Sequence, residues 1–317
     1  MNSVTDRRQR RIAAVIAAFN PDDDLLAHAA AIRAQVDELV VVDDCSTAPD
    51  AAGIFSRLTQ DGITVLAMPR NSGIAATLNR GVEEVEATTR PEFILTFDQD
   101  SLPVAGYVDN ALATYDRATA AGHRVGFVSA ESFSGHRVPA MSIGTGTGTG
   151  QPEAFDPMQS GFFVPATTFA AIGRFEAGFF IDCVDSEFTA RARAAGYSVL
   201  IGAGCAVEHR LGARLPARLF GRQLRFKGNE LSFNYYAPFR MYYIVRNGTV
   251  LIRRYWRRNP AWLLRRSVEE SKAQILRFTF SPDRSSLVAA AWQGLLDAVR
   301  GRDGQISNDL LNRFRAR

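Results

Sequence analysis

Within its first hundred residues this chain alternates strand and helix four times with short connections, an order that few folds accept. Arg11–Phe19 (RIAAVIAAF), Leu39–Val42, Ile63–Ala67 and the apolar start of Phe93–Ser101 (FILTFDQDS) read as strands, and Leu39–Val42 is too uniformly apolar to be solvated on one face. Helices are predicted from Asp22–Asp24 to about Gln35, up to about Gln60, and after Gly73 through Leu78 to Val85. Farther on, the pattern predicts a helix over Pro103–Ala121, a strand at Val125–Ser129, a helix from near Asp185 to before Gly196, and a strand at Ser198–Ile201. Such alternation predicts an α/β fold built on a doubly wound, mostly parallel sheet with helices on both faces.

In a parallel sheet the carboxyl ends of the strands share one edge, and ligands bind outside that edge. Three predicted strands end there in polar clusters: Asn20, Asp43-Asp44 and Asp98-Gln99-Asp100. Asp-x-Asp at a strand end offers two hard oxygen ligands suited to Mg²⁺ or Mn²⁺ shared with substrate phosphates; an ordinary turn competes with that reading. At Asp43 or Asp44 a carboxylate can accept from a base N–H or a ribose hydroxyl, with helix capping as the alternative. A second acidic cluster, Asp182, Asp185 and Glu187, opens the helix after Phe179. Asp185 is the candidate general base, and a capping box from Asp182 to Asp185 competes. His209, one of four histidines, is a candidate third metal ligand, since imidazole suits Mn²⁺ and other borderline ions. No G-x-G-x-x-G follows the first strand, which removes the main support for a nicotinamide or flavin site. Residues 131–160 lose periodicity and include GTGTGTG at Gly144–Gly150, either a lid or acceptor-binding segment or a surface loop.

Charge divides the chain unevenly. Residues 1–209 carry 15 Arg against 26 Asp and Glu, whereas 210–317 carry 22 Lys and Arg against 7 Asp and Glu. Two domains are expected, 1–225 around the acidic clusters and 226–317 as a basic, mostly helical extension. Helices are predicted after Pro238 to Tyr255, over Ala261–Phe278 and over Ser285–Val299. Their Trp and Tyr residues interleave with Arg253, Arg254, Arg257, Arg258, Arg265 and Arg266, a pattern suited to an anionic membrane surface. A solvated face or a homo-oligomer interface reads equally well. Nucleic acid is not expected, because no recognition motif accompanies the charge. No uncharged apolar run reaches the roughly 18 residues of a membrane span, and the N-terminal segment reads as a strand rather than a signal peptide. Three cysteines without paired spacing argue against a disulfide framework or zinc site, so a cytoplasmic setting is expected.

Together these motifs resemble inverting glycosyltransferases of family 2, which have the GT-A fold. The resemblance spans about residues 11–212 and extends more loosely to Asn247. It rests on Asn20-Pro21, VVDDCS at Val41–Ser46, NSGIAATLNRG at Asn71–Gly81, DQD at Asp98–Asp100 and DSEFTAR at Asp185–Arg191. The variants FDQDS, FFIDCVDSE and PFRMYYIVRN look most like the bacterial rhamnosyltransferase branch, which uses dTDP-L-rhamnose to build surface polysaccharides. By that resemblance Asp43 or Asp44 holds the pyrimidine, Asn20, Asn71, Gly73 and Gln99 line the nucleotide-sugar pocket, and Asp98 meets the ribose and metal. Asp100 and His209 complete the metal site, Asp185 is the base, and Asp182 and Glu187 fall on the acceptor side. The implied partners are a nucleotide-sugar donor and a lipid-linked or glycan acceptor, met at the inner face of the cell membrane. Other donors, UDP-galactofuranose or a UDP-hexose, share parts of the pattern. Two further readings are a non-catalytic nucleotide-sugar-binding subunit and a nucleotidyltransferase. The second lacks the expected Gly-rich basic loop after the first strand. The chain departs from the commoner family form at Cys45, where Gly is usual, at Glu187, where Asp is frequent, and in GTGTGTG, which has no counterpart.

Overall fold

The structure, a computed structural model, describes residues 10–141, 152–210, 214–219, 222–226 and 228–315. The GTGTGTG segment and the Leu211-Gly212 step after His209 lie outside the described residues. The chain forms two compact units, Met1–Ala177 with Val184–Arg210, and Gly178–Cys183 with Leu211–Arg317.

In the first unit the alternation predicted from sequence becomes β1 (Ile12–Ala18), α1 (Asp24–Arg33), β2 (Glu38–Asp43), α2 (Ala51–Gln60), β3 (Thr64–Ala67), α3 (Ile74–Thr88) and β4 (Phe93–Asp98). There follow β5 (Ser101–Pro103), α4 (Tyr107–Ala120), β6 (Val125–Ser129), β7 (Ser132–Phe133), β8 (His136–Arg137), β9 (Phe162–Pro165), α5 (Ala166–Ile172), α6 (Val184–Ala194), β10 (Ser198–Ile201) and β11 (Ala206–His209). Seven strands form the main sheet in the order β10-β6-β9-β4-β1-β2-β3. All pair in parallel except β9, which runs antiparallel to both β4 and β6. This is the GT-A architecture. Every residue of β1 is buried, so its apolar sequence reflects a central strand covered on both faces. Beneath β6 and β9, Phe127, Phe162, Phe169, Phe175 and Phe188 pack ring against ring.

Two differences from the sequence expectation matter for the site. The helix predicted from Pro103 begins only at Tyr107, after Gly106 in a left-handed conformation, and Ser101–Pro103 is instead a strand. That strand pairs antiparallel with β11 in a second sheet of order β5-β11-β7-β8. Strand β9, which the periodicity left unassigned, enters the main sheet between β4 and β6.

In the second unit, α7 (Pro238–Tyr255), α8 (Pro260–Phe280), α9 (Arg284–Val299) and α10 (Asn308–Arg315) match the predicted helices and add a fourth. Proline at the first turn of α7 and of α8 costs no hydrogen bond and presets the backbone angle. Met241, Tyr242, Tyr243, Leu287, Ala290, Ile306 and Phe314 form the core of this unit. Gly294 lets α9 approach α7 closely, since a Cβ there would lie 2.4 Å from the Tyr242 carbonyl. Short two-stranded ribbons, including Arg214–Pro216 with Ser232–Asn234, precede α7.

The last glycine of the NSGIAATLNRG motif has a packing reason. A Cβ on Gly81 would lie 2.3 Å from Val15 Cγ1 and 3.1 Å from Val42 Cγ2, so α3 seats on β1 and β2 only through a bare backbone. Gly81→Ala therefore overpacks the centre of the sheet and is expected to lower stability by about 1–3 kcal/mol, read as a lower urea midpoint with unchanged slope.

Candidate functional site

Parallel register brings the polar strand ends together. Ala17 of β1 pairs with Asp98 and Ala18 with Asp43, so the ends of β2, β1 and β4 lie side by side on one edge. Asn20 turns just past β1 with a left-handed backbone, which Asn tolerates better than most residues. Its Oδ1 accepts the Thr47 and Ala48 N–H groups, and its own N–H donates to Ser46 Oγ at 2.8 Å. Asp43 Oδ1 accepts the Ser46 N–H at 2.8 Å. These bonds fold the loop after β2 against the end of β1, and Cys45 holds within it the left-handed conformation for which Gly is usual.

Asp44 is 5% exposed and has a different task. One oxygen accepts the Ser72 N–H at 2.7 Å and the other the Gly73 N–H at 2.8 Å, tying the end of β2 to the first turn of α3. Gly73 has a positive φ of 85° there. Burial pushes the Asp44 carboxyl above its usual range, against the two N–H groups that pull it down. Asn71, on the same loop, carries a buried Oδ1 without a hydrogen-bond partner. Asn79 of the same motif exchanges two 2.9 Å bonds with the backbone of Phe175.

At the end of β4, Asp98 accepts a hydrogen bond from Gln159 Nε2, and its N–H donates to Ser160 Oγ at 3.2 Å. Gln99 is hydrogen-bonded to two neighbouring segments. Its Oε1 accepts the Phe19 N–H at 2.7 Å, and its carbonyl lies 2.9 Å from His28 Nδ1. Asp100 then leads into β5, where antiparallel pairing sets Ser101 opposite His209. His209 Nδ1 lies 2.9 Å from Ser101 Oγ and 3.4 Å from Asp100 Oδ1, while Ser134 Oγ donates to the His209 carbonyl at 2.7 Å.

One ligand atom from each of Asp98, Asp100 and His209 lies within 4.8 Å of the others. That spacing fits donors around a six-coordinate ion with bonds of roughly 2.1 Å. Two carboxylates and an imidazole suit a divalent cation. Burial lowers the His209 pKa, opposed by the Asp100 charge, and favours the neutral imidazole that a metal requires. Gln159, 5% exposed, leaves a buried Oε1 without a partner beside this cluster.

Gln159 and Ser160 are site residues that the sequence reading missed. The signal was present: a polar Gln-Ser-Gly step directly precedes the apolar strand β9. Because β9 runs antiparallel to β4, residues before β9 reach the edge that residues after β4 reach.

The second acidic cluster divides. Asp185 stands in the first turn of α6, where its Oδ1 accepts the Ser186 N–H at 2.7 Å, and Ser186 Oγ donates to Asp156. Glu187 is 2% exposed and pairs with the partly buried Arg191, whose guanidinium also holds the Ile172 and Arg174 carbonyls. An acceptor-side place for Glu187 thus meets a carboxylate turned inward and paired. Asp182 is not the cap of α6. It has φ 63°, and its carboxylate pairs with Arg240.

Removing the Asp44 carboxylate leaves two backbone N–H groups, the buried one of Gly73 and the part-buried one of Ser72, unpaired. Asp44→Ala is expected to cost about 2 kcal/mol or more, visible as a lower thermal midpoint, whereas Asp43→Ala should cost well under half as much.

Comparison with known proteins adds the lineage. Residues 13–175 match the family model described as glycosyl transferase family 2. No curated protein matches this chain. Among solved structures, S. aureus TarS 1–349 aligns over 92% of this chain and 82% of its own, at 16% identity and a TM-score of 0.54. GalNAc-T7, solved with UDP, GalNAc and Mn²⁺, aligns over 90% of this chain and 55% of its own, at 14% identity and a TM-score of 0.57. The chain spans 44% of the longer TarS structure. At such identity these likenesses speak to the fold.

Proposed function

Because the chain belongs to glycosyl transferase family 2, we propose that it is an inverting glycosyltransferase that moves L-rhamnose from dTDP-L-rhamnose to a lipid-linked or glycan acceptor in surface polysaccharide synthesis. The observation that carries the reading is the Asp98–Asp100–His209 group, set at the strand edge that Asn20, Asp43 and Asp44 also line. In it, Asp98, Asp100 and His209 would hold Mg²⁺ or Mn²⁺. When bound, such an ion offsets the negative charge that builds on a departing diphosphate. Asn20, Asp43, Asp44, Asn71, Gly73 and Gln99 form the wall for the nucleotide, and the unpartnered Asn71 Oδ1 is an acceptor available to it.

The base in this reading is Asp185. An acceptor hydroxyl attacks the anomeric carbon opposite the leaving group while Asp185 takes its proton. The new C–O bond forms as the bond to the β-phosphate oxygen breaks, and that electron pair departs with the nucleoside diphosphate. A single displacement inverts the anomeric centre. Rhamnose rests on FDQDS, FFIDCVDSE and PFRMYYIVRN; a UDP-sugar is favoured instead by the UDP with which GalNAc-T7 was solved. A thermal-shift panel with Mn²⁺ separates them, because a ligand that prefers the native state raises the midpoint. dTDP-rhamnose should give the largest rise. If UDP-hexoses match it, the rhamnosyl reading falls and the transferase reading stands. Asp185→Asn should keep the donor-induced shift and lose transfer by about 10²-fold or more. Wild-type turnover in that variant would remove Asp185 as the base.

Peripheral attachment to the cytoplasmic membrane face is part of the same proposal. No helix among the described residues is long and apolar enough to cross a membrane. Yet α9 is apolar on two sides. One side packs on α7, and the other exposes Val288, Trp292 at 61% and Val299. Ile252 and Trp256 on and just after α7, and Leu264, Val268 and Ile275 on α8, are also exposed, close in sequence to Arg253, Arg254, Arg257 and Arg258. A second copy docked on this surface would oppose like charges, whereas an anionic bilayer supplies the complement. The protein should float with phosphatidylglycerol vesicles and not with phosphatidylcholine ones, and Trp256→Glu with Trp292→Glu should abolish flotation. Sedimentation of the wild type away from anionic vesicles would remove the membrane part alone.

A further inference from the structure

The segment Gly178–Cys183 lies in sequence between two stretches of the first unit but belongs to the second. Three of its six residues hold a left-handed backbone without being glycine: Phe180 (φ 28°), Asp182 (63°) and Cys183 (62°). L-residues rarely adopt that conformation, and it persists only where surroundings enforce it. Asp185 follows two residues later.

What enforces it is α7. Asn247, fully buried, places its amide nitrogen 3.2 Å from the Phe179 carbonyl and 2.9 Å from the Ile181 and Asp182 carbonyls. Its amide oxygen accepts from Arg246 Nε at 2.9 Å, which fixes the end of the amide that faces the segment. Arg246 is 1% exposed and donates its other nitrogens to the Gly178 carbonyl at 2.9 Å and the Gly304 carbonyl at 2.6 Å. Its guanidinium also lies over the rings of Tyr242 and Tyr243. Phe180 stacks on Tyr243 with centroids 5.3 Å apart, and Arg240 pairs with the Asp182 carboxylate. Four carbonyls of one short segment are thus held by two adjacent side chains of one helix.

We infer that Arg246 and Asn247, with Arg240 on Asp182, are positioning residues that set the backbone from which Asp185 enters α6, and through it the rate of transfer. The inference rests on the assignment of Asp185 as the base. A base must stand within hydrogen-bond reach of the hydroxyl it deprotonates, and displacement by about 1 Å costs roughly 10²-fold in rate. The hydrogen bonds of Asn247 go to three carbonyls of the segment and to Arg246, so its loss is expected to act on turnover rather than on nucleotide affinity.

The test compares wild type, Asp185→Asn, Asn247→Asp and Arg240→Ala. Asn247→Asp keeps the side-chain shape but replaces the donating nitrogen with an acceptor that faces three carbonyls. Arg240 is partly exposed, so Arg240→Ala folds even if the buried change does not. Nucleoside diphosphate release is followed with whichever of dTDP-rhamnose or UDP-galactofuranose the wild type turns over, and nucleotide affinity is titrated with dTDP or UDP plus Mn²⁺. The expected result is a kcat about 10–100-fold lower in Asn247→Asp and about 3–10-fold lower in Arg240→Ala, with donor KM and nucleotide affinity within twofold of wild type. Unchanged kcat in Arg240→Ala together with unchanged kcat or failed folding in Asn247→Asp would overturn the inference, as would equal loss of nucleotide affinity. Those results would leave the base assignment intact as long as Asp185→Asn is inactive. Turnover in Asp185→Asn would instead overturn the assignment beneath it.

Discussion

Everything in the first unit depends on the register of three parallel strands. Because β1 pairs with β2 and β4 so that Ala18 meets Asp43 and Ala17 meets Asp98, carboxylates more than fifty residues apart finish on one edge. Parallel strands demand crossover connections, and each crossover returns the chain to the same starting side. The convergence is therefore a property of topology before it is a property of any side chain. A slip of one residue in β4 would send Asp98 to the other face of the sheet and dismantle the group with Asp100 and His209.

Much of the recognised motif holds this frame in shape. Gly81 admits α3 onto the sheet, Asn79 fixes the backbone at Phe175, and Gly73 supplies the N–H that meets Asp44. Asp44 in turn is buried, with each oxygen already accepting a backbone N–H. A motif of this kind marks a family because the pocket wall is a loop, and a loop holds shape only when its polar backbone groups are matched.

The sequence made legible whatever follows from local periodicity. The apolar runs of β1, β2 and β4, the polar step at Asp98, and Pro238 opening α7 are each visible within about ten residues. What stayed hidden depends on pairing between distant segments. Strand β9 is four residues long, and its antiparallel direction, which carries Gln159 to Asp98, leaves no periodic trace. The helix expected from Pro103 starts later because Ser101–Pro103 pairs with β11 as a strand, and that pairing, which no local pattern announces, delivers His209 to Asp100. The acids at 182, 185 and 187 stand within six residues, and the sequence alone does not say what each one touches. Structure separates them by partner: Arg240 for Asp182, the Ser186 N–H for Asp185, Arg191 for Glu187.

The way Arg246 is buried says what that position specifies. A guanidinium removed from water ordinarily needs a carboxylate, since an unpaired buried charge is costly. Here its nitrogens meet the oxygens of Gly178, Gly304 and Asn247, all neutral, with two tyrosine faces completing the shell. A carboxylate partner could swing on its own side chain and keep the charge satisfied in several geometries. Carbonyl oxygens move only with the main chain, so this cation is satisfied in one backbone arrangement and in few others. Stability alone would be served as well by an apolar side chain of similar volume. The arrangement present instead converts the cost of a buried charge into a fixed path for Gly178–Cys183, and the chain leaves that path directly into the first turn of α6, where Asp185 stands.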